Sequence, residues 1–389
     1  MHNQSSVTRI GIKTSSPTIS KEIQGRISYN ASIIQKRISA RCPASFVDHD
    51  EQYCIRLEID DSIGKQGYRI TRDQNTSILI QGNDLLGLTY GIGKFLHTSQ
   101  YCENGLIPSE WEGISIPHGS LRGMYFASHF FNWYHVAPEE ELRQYIEDIA
   151  LWGVNTITLA FPLINLTGWD DIESEKSMGQ IRRIFGIAKQ LSLDIGLFYA
   201  PNQDFKNPRP EFRAVPNPDP LGRRGNNGNN ICPNIPGATD YILQIFEETV
   251  KRLEGIKLDY LCLWPYDEGG CACPNCFPWG ANGFLDLSQT ISYAARKHNP
   301  DIKIVLSTWT FDTPYEGEWE GLSQRLKQSN DWVDVILADS HEEFPQYPLS
   351  IGVPGNLPLI NFPEISMWGL FPWGGYGANP LPNRFQHLW

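Results

Sequence analysis

From Leu121 onward the chain repeats one pattern, a short apolar run followed by a stretch with helical periodicity. The apolar runs cover 121–127, 155–161, 194–199, 259–264, 303–309, 333–339 and 357–362. Each is strand-sized and nearly continuous in apolar residues, as strands buried on both faces are. Between the first two, in "PEEELRQYIEDIALWG", Pro138 suits a first helical position and acids fill the first turn. Leu142, Tyr145, Ile146, Ile149 and Ala150 make one apolar face there, and Gly153 stands where the helix closes. Ile181, Ile184, Phe185 and Ala188 repeat the pattern, as do Ile242, Ile245, Phe246, Val250 and Leu253. Strands alternating with helices define an α/β class and predict a (β/α)8 TIM barrel. An eighth strand is missing from the pattern, so a barrel truncated after its seventh strand is expected, because an open barrel leaves two unpaired edges. An open doubly wound sheet ranks second, since no Gly-rich phosphate loop follows the first strand.

The N-terminal 115 residues have another texture. Strand-like runs at 7–12 and 54–59, a pair at 67–71 and 77–81 and a helix over 27–38 predict an α/β accessory domain over 1–115. A second helix follows in "NDLLGLTYGIGKFLHTS", with Asn83 or Asp84 as its cap. "GLIPSEWEGISIPHGS" reads as the linker, and the barrel occupies 119–389, incomplete at its C-terminus. A net charge of −12 excludes nucleic acid as a partner, because phosphate binding needs a basic face. The longest apolar runs are strand-sized, so no membrane partner is expected. With no signal peptide visible, a cytoplasmic location is the expectation, and the oligomeric state stays open.

In such a barrel, functional groups stand where strands end and helix-bound loops begin. His129 follows the first strand. Tyr266, Asp267 and Glu268 follow the fourth, in "WPYDEGGCACPNC", and Trp309 ends the fifth. Asp339 and His341 mark the end of the sixth, and Glu364, then Trp368, the end of the seventh. Carboxylates from three strands among aromatic rings suit glycoside hydrolysis, in which one acid protonates the leaving oxygen while a second group stabilises, attacks or activates water. The aromatic rings offer flat apolar faces for sugars. The bland alternatives are a structural ion pair for Glu268 or Arg122, a turn cap for Asp267, and the start of a loop for Asp339 and His341, while Glu364, after Pro363 at a strand end, stays ambiguous.

"SILIQGNDLLGLTYGIGKFL" resembles the N-terminal accessory domain shared by family 20 β-N-acetylhexosaminidases and family 67 α-glucuronidases. "LRGMYF" is similar to the first barrel strand of family 20, and Asp267-Glu268 falls where that family carries its Asp-Glu dyad. The resemblance implies a carbohydrate substrate and no cofactor for catalysis. Under a family 20 reading Glu268 is the general acid/base and Asp267 orients a substrate 2-acetamido group. Under a family 67 reading Glu268 is the acid and Asp339 or Glu364 the base. It also implies sugar binding by Arg122, and Arg122, His129, Tyr266, Trp309, His341 and Trp368 make up the substrate-binding set. Two glycines follow the dyad rather than precede it, and cysteines crowd in behind, so a divergent member is expected. A non-catalytic glycan-binding protein is the rival from another class.

Cys271, Cys273 and Cys276 lie within six residues, and Cys232, in the loop after the third strand, is the best fourth partner because adjacent barrel loops approach one another. A structural zinc knuckle ranks first for these thiols, ahead of plain loop thiols and a disulfide. No His stands at ligand spacing, so a catalytic zinc is not expected.

Overall fold

The computed structural model of the chain describes residues 5–14, 20–73, 76–130, 132–217, 228–253, 255–266, 269–312, 315–339 and 352–362. It divides into two compact units, one of residues 1–124, 139–157 and 186–194, the other of 125–138, 158–185 and the chain from Ile195 onward.

The first unit is built on β1 (Arg9–Thr14), α1 (Lys21–Ser39), β2 (Ser45–Phe46), β3 (Tyr53–Ile59), β4 (Tyr68–Asp73), β5 (Ser77–Gly82) and α2 (Leu85–Thr98). Three short strands follow, β6 (Gln100–Cys102), β7 (Gly105–Ile107) and β8 (Gly113–Ser115). Its main sheet runs β2-β1-β3-β5-β4-β8. The expected pair at 67–71 and 77–81 is β4 and β5, antiparallel with Ile70 opposite Ile80. Asp84, one of the two expected caps, accepts from the Gly87 amide at 2.8 Å and starts α2.

The repeating part of the chain supplies β9 (Gly123–Phe126), α3 (Trp133–Val136), α4 (Glu139–Leu151), β10 (Thr156–Ala160), α5 (Ile172–Gln190), β11 (Asp194–Tyr199), α6 (Ala238–Arg252), β12 (Tyr260–Leu263), α7 (Gly283–His298), β13 (Lys303–Ser307), α8 (Glu318–Gln328), β14 (Val335–Asp339) and β15 (Leu359–Phe362). All seven expected strands are present, in the sheet order β15-β14-β13-β12-β11-β10-β9. From β11 to β15 each neighbour pair is parallel, with Phe198, Cys262 and Val305 side by side. These residues and Leu337 form one apolar row, joined by Tyr125, Trp264, Ile360 and Phe362. Leu261, Leu263, Ile304 and Leu306, on the opposite face, are also fully buried. Burial on both faces explains the unbroken apolar runs.

Tyr125 of β9 and Phe362 of β15 belong to the two edge strands of that order, yet their ring centroids lie 6.1 Å apart. In a flat sheet six spacings of about 4.8 Å would separate them by roughly 29 Å. The sheet therefore curls on itself into a barrel wall, with the aromatic row inside. Among the described residues no helix is long and apolar enough to cross a membrane.

Candidate active site

The inner row widens toward the carboxyl ends of the strands into a cluster of rings. Trp264 lies 5.2 Å from Trp309 and 5.4 Å from Phe362, centroid to centroid. Trp309 was expected to present a face to substrate, but it is only 1% exposed and packs against both neighbours. His129 lies in the short turn beyond β9, buried, with its Nδ1 2.9 Å from the Tyr125 hydroxyl.

Beyond β12 the chain is fixed on both sides of Asp267 and Glu268. On the near side the Tyr266 hydroxyl donates to Glu318 Oε1, and the Tyr266 side chain is buried. Glu318, at the start of α8, also accepts the Gly280 amide at 2.8 Å and the Asp312 amide at 2.9 Å. Asp312 reciprocates by accepting the Glu318 amide at 2.7 Å, which satisfies a first-turn N–H of the helix. On the far side Asn202 Oδ1 accepts the Gly270 amide at 3.0 Å, and its Nδ2 donates to the carbonyls of Gly270 and Ile231, both at 2.9 Å. Gly269 has no room for a side chain, because a Cβ there would stand 2.6 Å from the Pro265 carbonyl oxygen. That carbonyl also accepts the Trp279 indole N–H at 2.7 Å.

Asp267, Glu268, His341, Glu364 and Trp368 lie outside the described residues. Asp339 is the last residue of β14, in register with Phe362. Arg122 differs from its expected role. It precedes β9, at the end of the strand opposite the candidate site, and its guanidinium donates to the Gly119 and Gly153 carbonyls, the Gln66 side chain and the Tyr90 hydroxyl. Those contacts make it a packing residue of the first unit, because its donors are already committed.

Sequence reasoning missed three buried polar residues. Glu318 and Asn202 gave no signal, since their partners lie 52 and 68 residues away. The third, Asp204, lies in the loop after β11. Its Oδ1 accepts the Phe205 amide at 2.7 Å and the Tyr241 hydroxyl at 3.2 Å. Burial pushes its carboxyl above the ordinary aspartate range.

The four cysteines singled out earlier come together. One ligand atom from each of Cys232, Cys271, Cys273 and Cys276 lies within 4.8 Å of the others. All eight cysteines of the chain are free thiols. Hydrogen bonding from Cys232 holds Cys271 well below the usual thiol range, while the same crowding raises Cys232 to about 12 and Cys276 still further. A buried cluster of this kind tolerates one negative charge more readily than four.

No protein-family model matches the chain, and no curated protein does. Solved structures are similar in fold. A family 20 exo-β-N-acetylglucosaminidase from Vibrio harveyi, solved with N-acetylglucosamine, matches at TM-score 0.54 and 13% identity over 85% of this chain and 57% of that one. The family 20 β-N-acetylhexosaminidase of Streptomyces coelicolor A3(2) matches at TM-score 0.60 and 13% identity over 96% and 75%. An enzyme of family 138 that targets pectin rhamnogalacturonan II matches at 0.52 and 10% over 85% and 48%. The chain thus spans little more than half the length of the Vibrio enzyme. The likeness establishes the class of fold, an N-terminal α/β unit with a TIM barrel of the kind glycoside hydrolases use. Within that class the chain is similar in fold to family 20 β-N-acetylhexosaminidases, at 13% identity.

Proposed function

We propose that this chain carries the catalytic barrel of a glycoside hydrolase that cleaves an N-acetylhexosamine-containing glycan. The observation that carries the reading is the anchoring of Tyr266 and Gly270, the residues flanking Asp267-Glu268, beyond the fourth strand of a barrel similar to the family 20 fold. Glu268 protonates the leaving glycosidic oxygen while the substrate's own acetamido carbonyl oxygen attacks the anomeric carbon. Asp267 holds the acetamido N–H as that charge develops. Water then opens the cyclic intermediate, giving its proton to Glu268. Neutral sugars fit a site walled by rings such as Trp264 and Phe362, and no cofactor enters these steps.

The test is turnover of chromogenic GlcNAc and GalNAc glycosides by the chain and by Glu268→Gln. Loss of the acid is expected to lower kcat/KM by about 10²–10⁴-fold with the fold intact. Undiminished turnover would show that the acid lies elsewhere. Glycan binding without turnover by the unsubstituted chain would favour a binding protein.

A second reading rests on the comparable likeness to the pectin-targeting family 138 enzyme, which shows that this architecture also serves other sugars. Here Glu268 is again the acid, Asp339 or Glu364 is the base, and the substrate is a uronic-acid glycoside. Glucuronide turnover with no dependence on a 2-acetamido group selects it.

A further inference from the structure

We propose that Cys232, Cys271, Cys273 and Cys276 form a tetrathiolate zinc site that ties the loop entering α6 to the loop entering α7. The inference is independent of the glycosidase reading.

Geometry comes first. With Zn–S bonds of about 2.3 Å, a tetrahedral site places its sulfurs roughly 3.8 Å apart. Cys232 Sγ and Cys273 Sγ are 3.6 Å apart, and one sulfur from each of the four residues fits within 4.8 Å. That separation is far longer than the S–S bond of about 2.05 Å in a disulfide. Cys232, Cys271 and Cys276 are buried and Cys273 is half-buried, so the quartet is closed to substrate, as structural zinc sites are.

One polar side chain also points at the cluster. Asn234 Nδ2 donates to Cys276 Sγ at 2.9 Å. A donor of this kind stabilises a thiolate ligand and fixes its direction. The tripeptide Cys-Pro-Asn occurs at both ends of the site, as Cys232-Pro233-Asn234 and Cys273-Pro274-Asn275. Four convergent sulfurs, with no His or carboxylate joining them among the described residues, select a soft tetrahedral cation, and zinc needs no redox partner.

The placement gives the metal a mechanical role. Asn202 bonds the carbonyls of Ile231 and Gly270, the residues just before Cys232 and Cys271. Metal and amide therefore stitch the same two segments, directly behind the Gly269-Gly270 turn.

The test is elemental analysis of the purified chain with cobalt replacement. About one zinc per chain is expected, and the cobalt form should show the thiolate charge-transfer and visible bands of a tetrahedral sulfur site. Cys273→Ser should lose the metal and melt about 5–10 °C lower, whereas Cys102→Ser should keep it. Amide exchange at Ile231 and Gly270 should quicken on chelation. Metal-free protein that neither takes up zinc nor gains stability from it would overturn the proposal. So would a mass two hydrogens short with two thiols missing from titration in denaturant, which marks a disulfide. Visible absorption from bound iron in the purified protein would overturn the assignment to zinc. Should Cys273→Ser fail to fold, the metal content and cobalt spectrum of the unsubstituted chain still decide.

Discussion

Tyr266 and Gly270 stand on either side of Asp267-Glu268, and each is fixed by a buried side chain from a distant segment, Glu318 for one and Asn202 for the other. The two braces use different chemistry. Glu318 is an acceptor surrounded by donors, namely the Tyr266 hydroxyl and the amides of Gly280 and Asp312. Asn202 offers both a donor and an acceptor and addresses only backbone, at Gly270 and Ile231. On the strand side the brace depends on which side chain stands at position 266. On the loop side it depends only on where the backbone runs. Buried groups are costly when left unpaired, and more so where the lost partner was charged.

The largest effect is therefore expected at Glu318. Replacing it with Ala strands three buried donors and should cost about 4 kcal/mol, read from the urea midpoint. Tyr266→Phe removes one donor and leaves Glu318 its two amides, so about 1 kcal/mol is expected. Equal losses from the two substitutions would break the contrast, because the brace would then be acting through Tyr266 alone.

Asn202→Ala should cost about 2 kcal/mol, since three hydrogen bonds go but every lost partner is neutral backbone. Asn202→Asp sharpens the comparison. It keeps an acceptor for the Gly270 amide but turns a carboxylate oxygen toward the carbonyls of Ile231 and Gly270. It should therefore be at least as damaging as Ala at neutral pH. An aspartate variant as stable as the parent would mean that the amide donor does not hold those carbonyls.

These braces explain what the sequence could and could not reveal. The seven barrel strands were legible because both faces are buried, which writes each as an unbroken apolar run. Their ends were less so. The run at 303–309 stops at Ser307 in the fold, and Thr310 and Asp312 adopt positive φ where the backbone turns away. The meeting of Cys232 with the three clustered cysteines was legible because neighbouring parallel strands bring their following loops together. Arg122 was misread because an Arg-Gly pair opening a strand says nothing about which end of the strand the guanidinium serves. Trp309 is expected in the substrate-binding set from its place at a strand end, while the rings that pack against it, Trp264 and Phe362, are far apart in sequence. Glu318 and Asn202 were invisible for the same reason. A buried Asn or Glu takes its meaning from partners that only the fold supplies.

Asp204 sets a smaller test, of a buried carboxyl without the full set of donors that Glu318 enjoys. Its Oδ2 has no hydrogen-bond partner among the described residues, and burial raises its pKa, against the opposing pull of the Phe205 amide, the Tyr241 hydroxyl and Arg209. Above its unfolded value near 3.9, the folded state holds this proton more tightly than the unfolded chain does. Stability from this group is therefore fully present below that pH and is lost as pH rises through the higher folded value. Asp204→Asn keeps the shape and cannot ionise. The difference in urea midpoint between parent and variant, followed upward from pH 3, should move steadily in the variant's favour and then level off. Exposed acids such as Asp171 and Asp301, whose pKa values are lowered, titrate alike in both proteins and cancel in that difference. A difference that moves the other way would mean that Asp204 is ionised in the fold and held by Arg209.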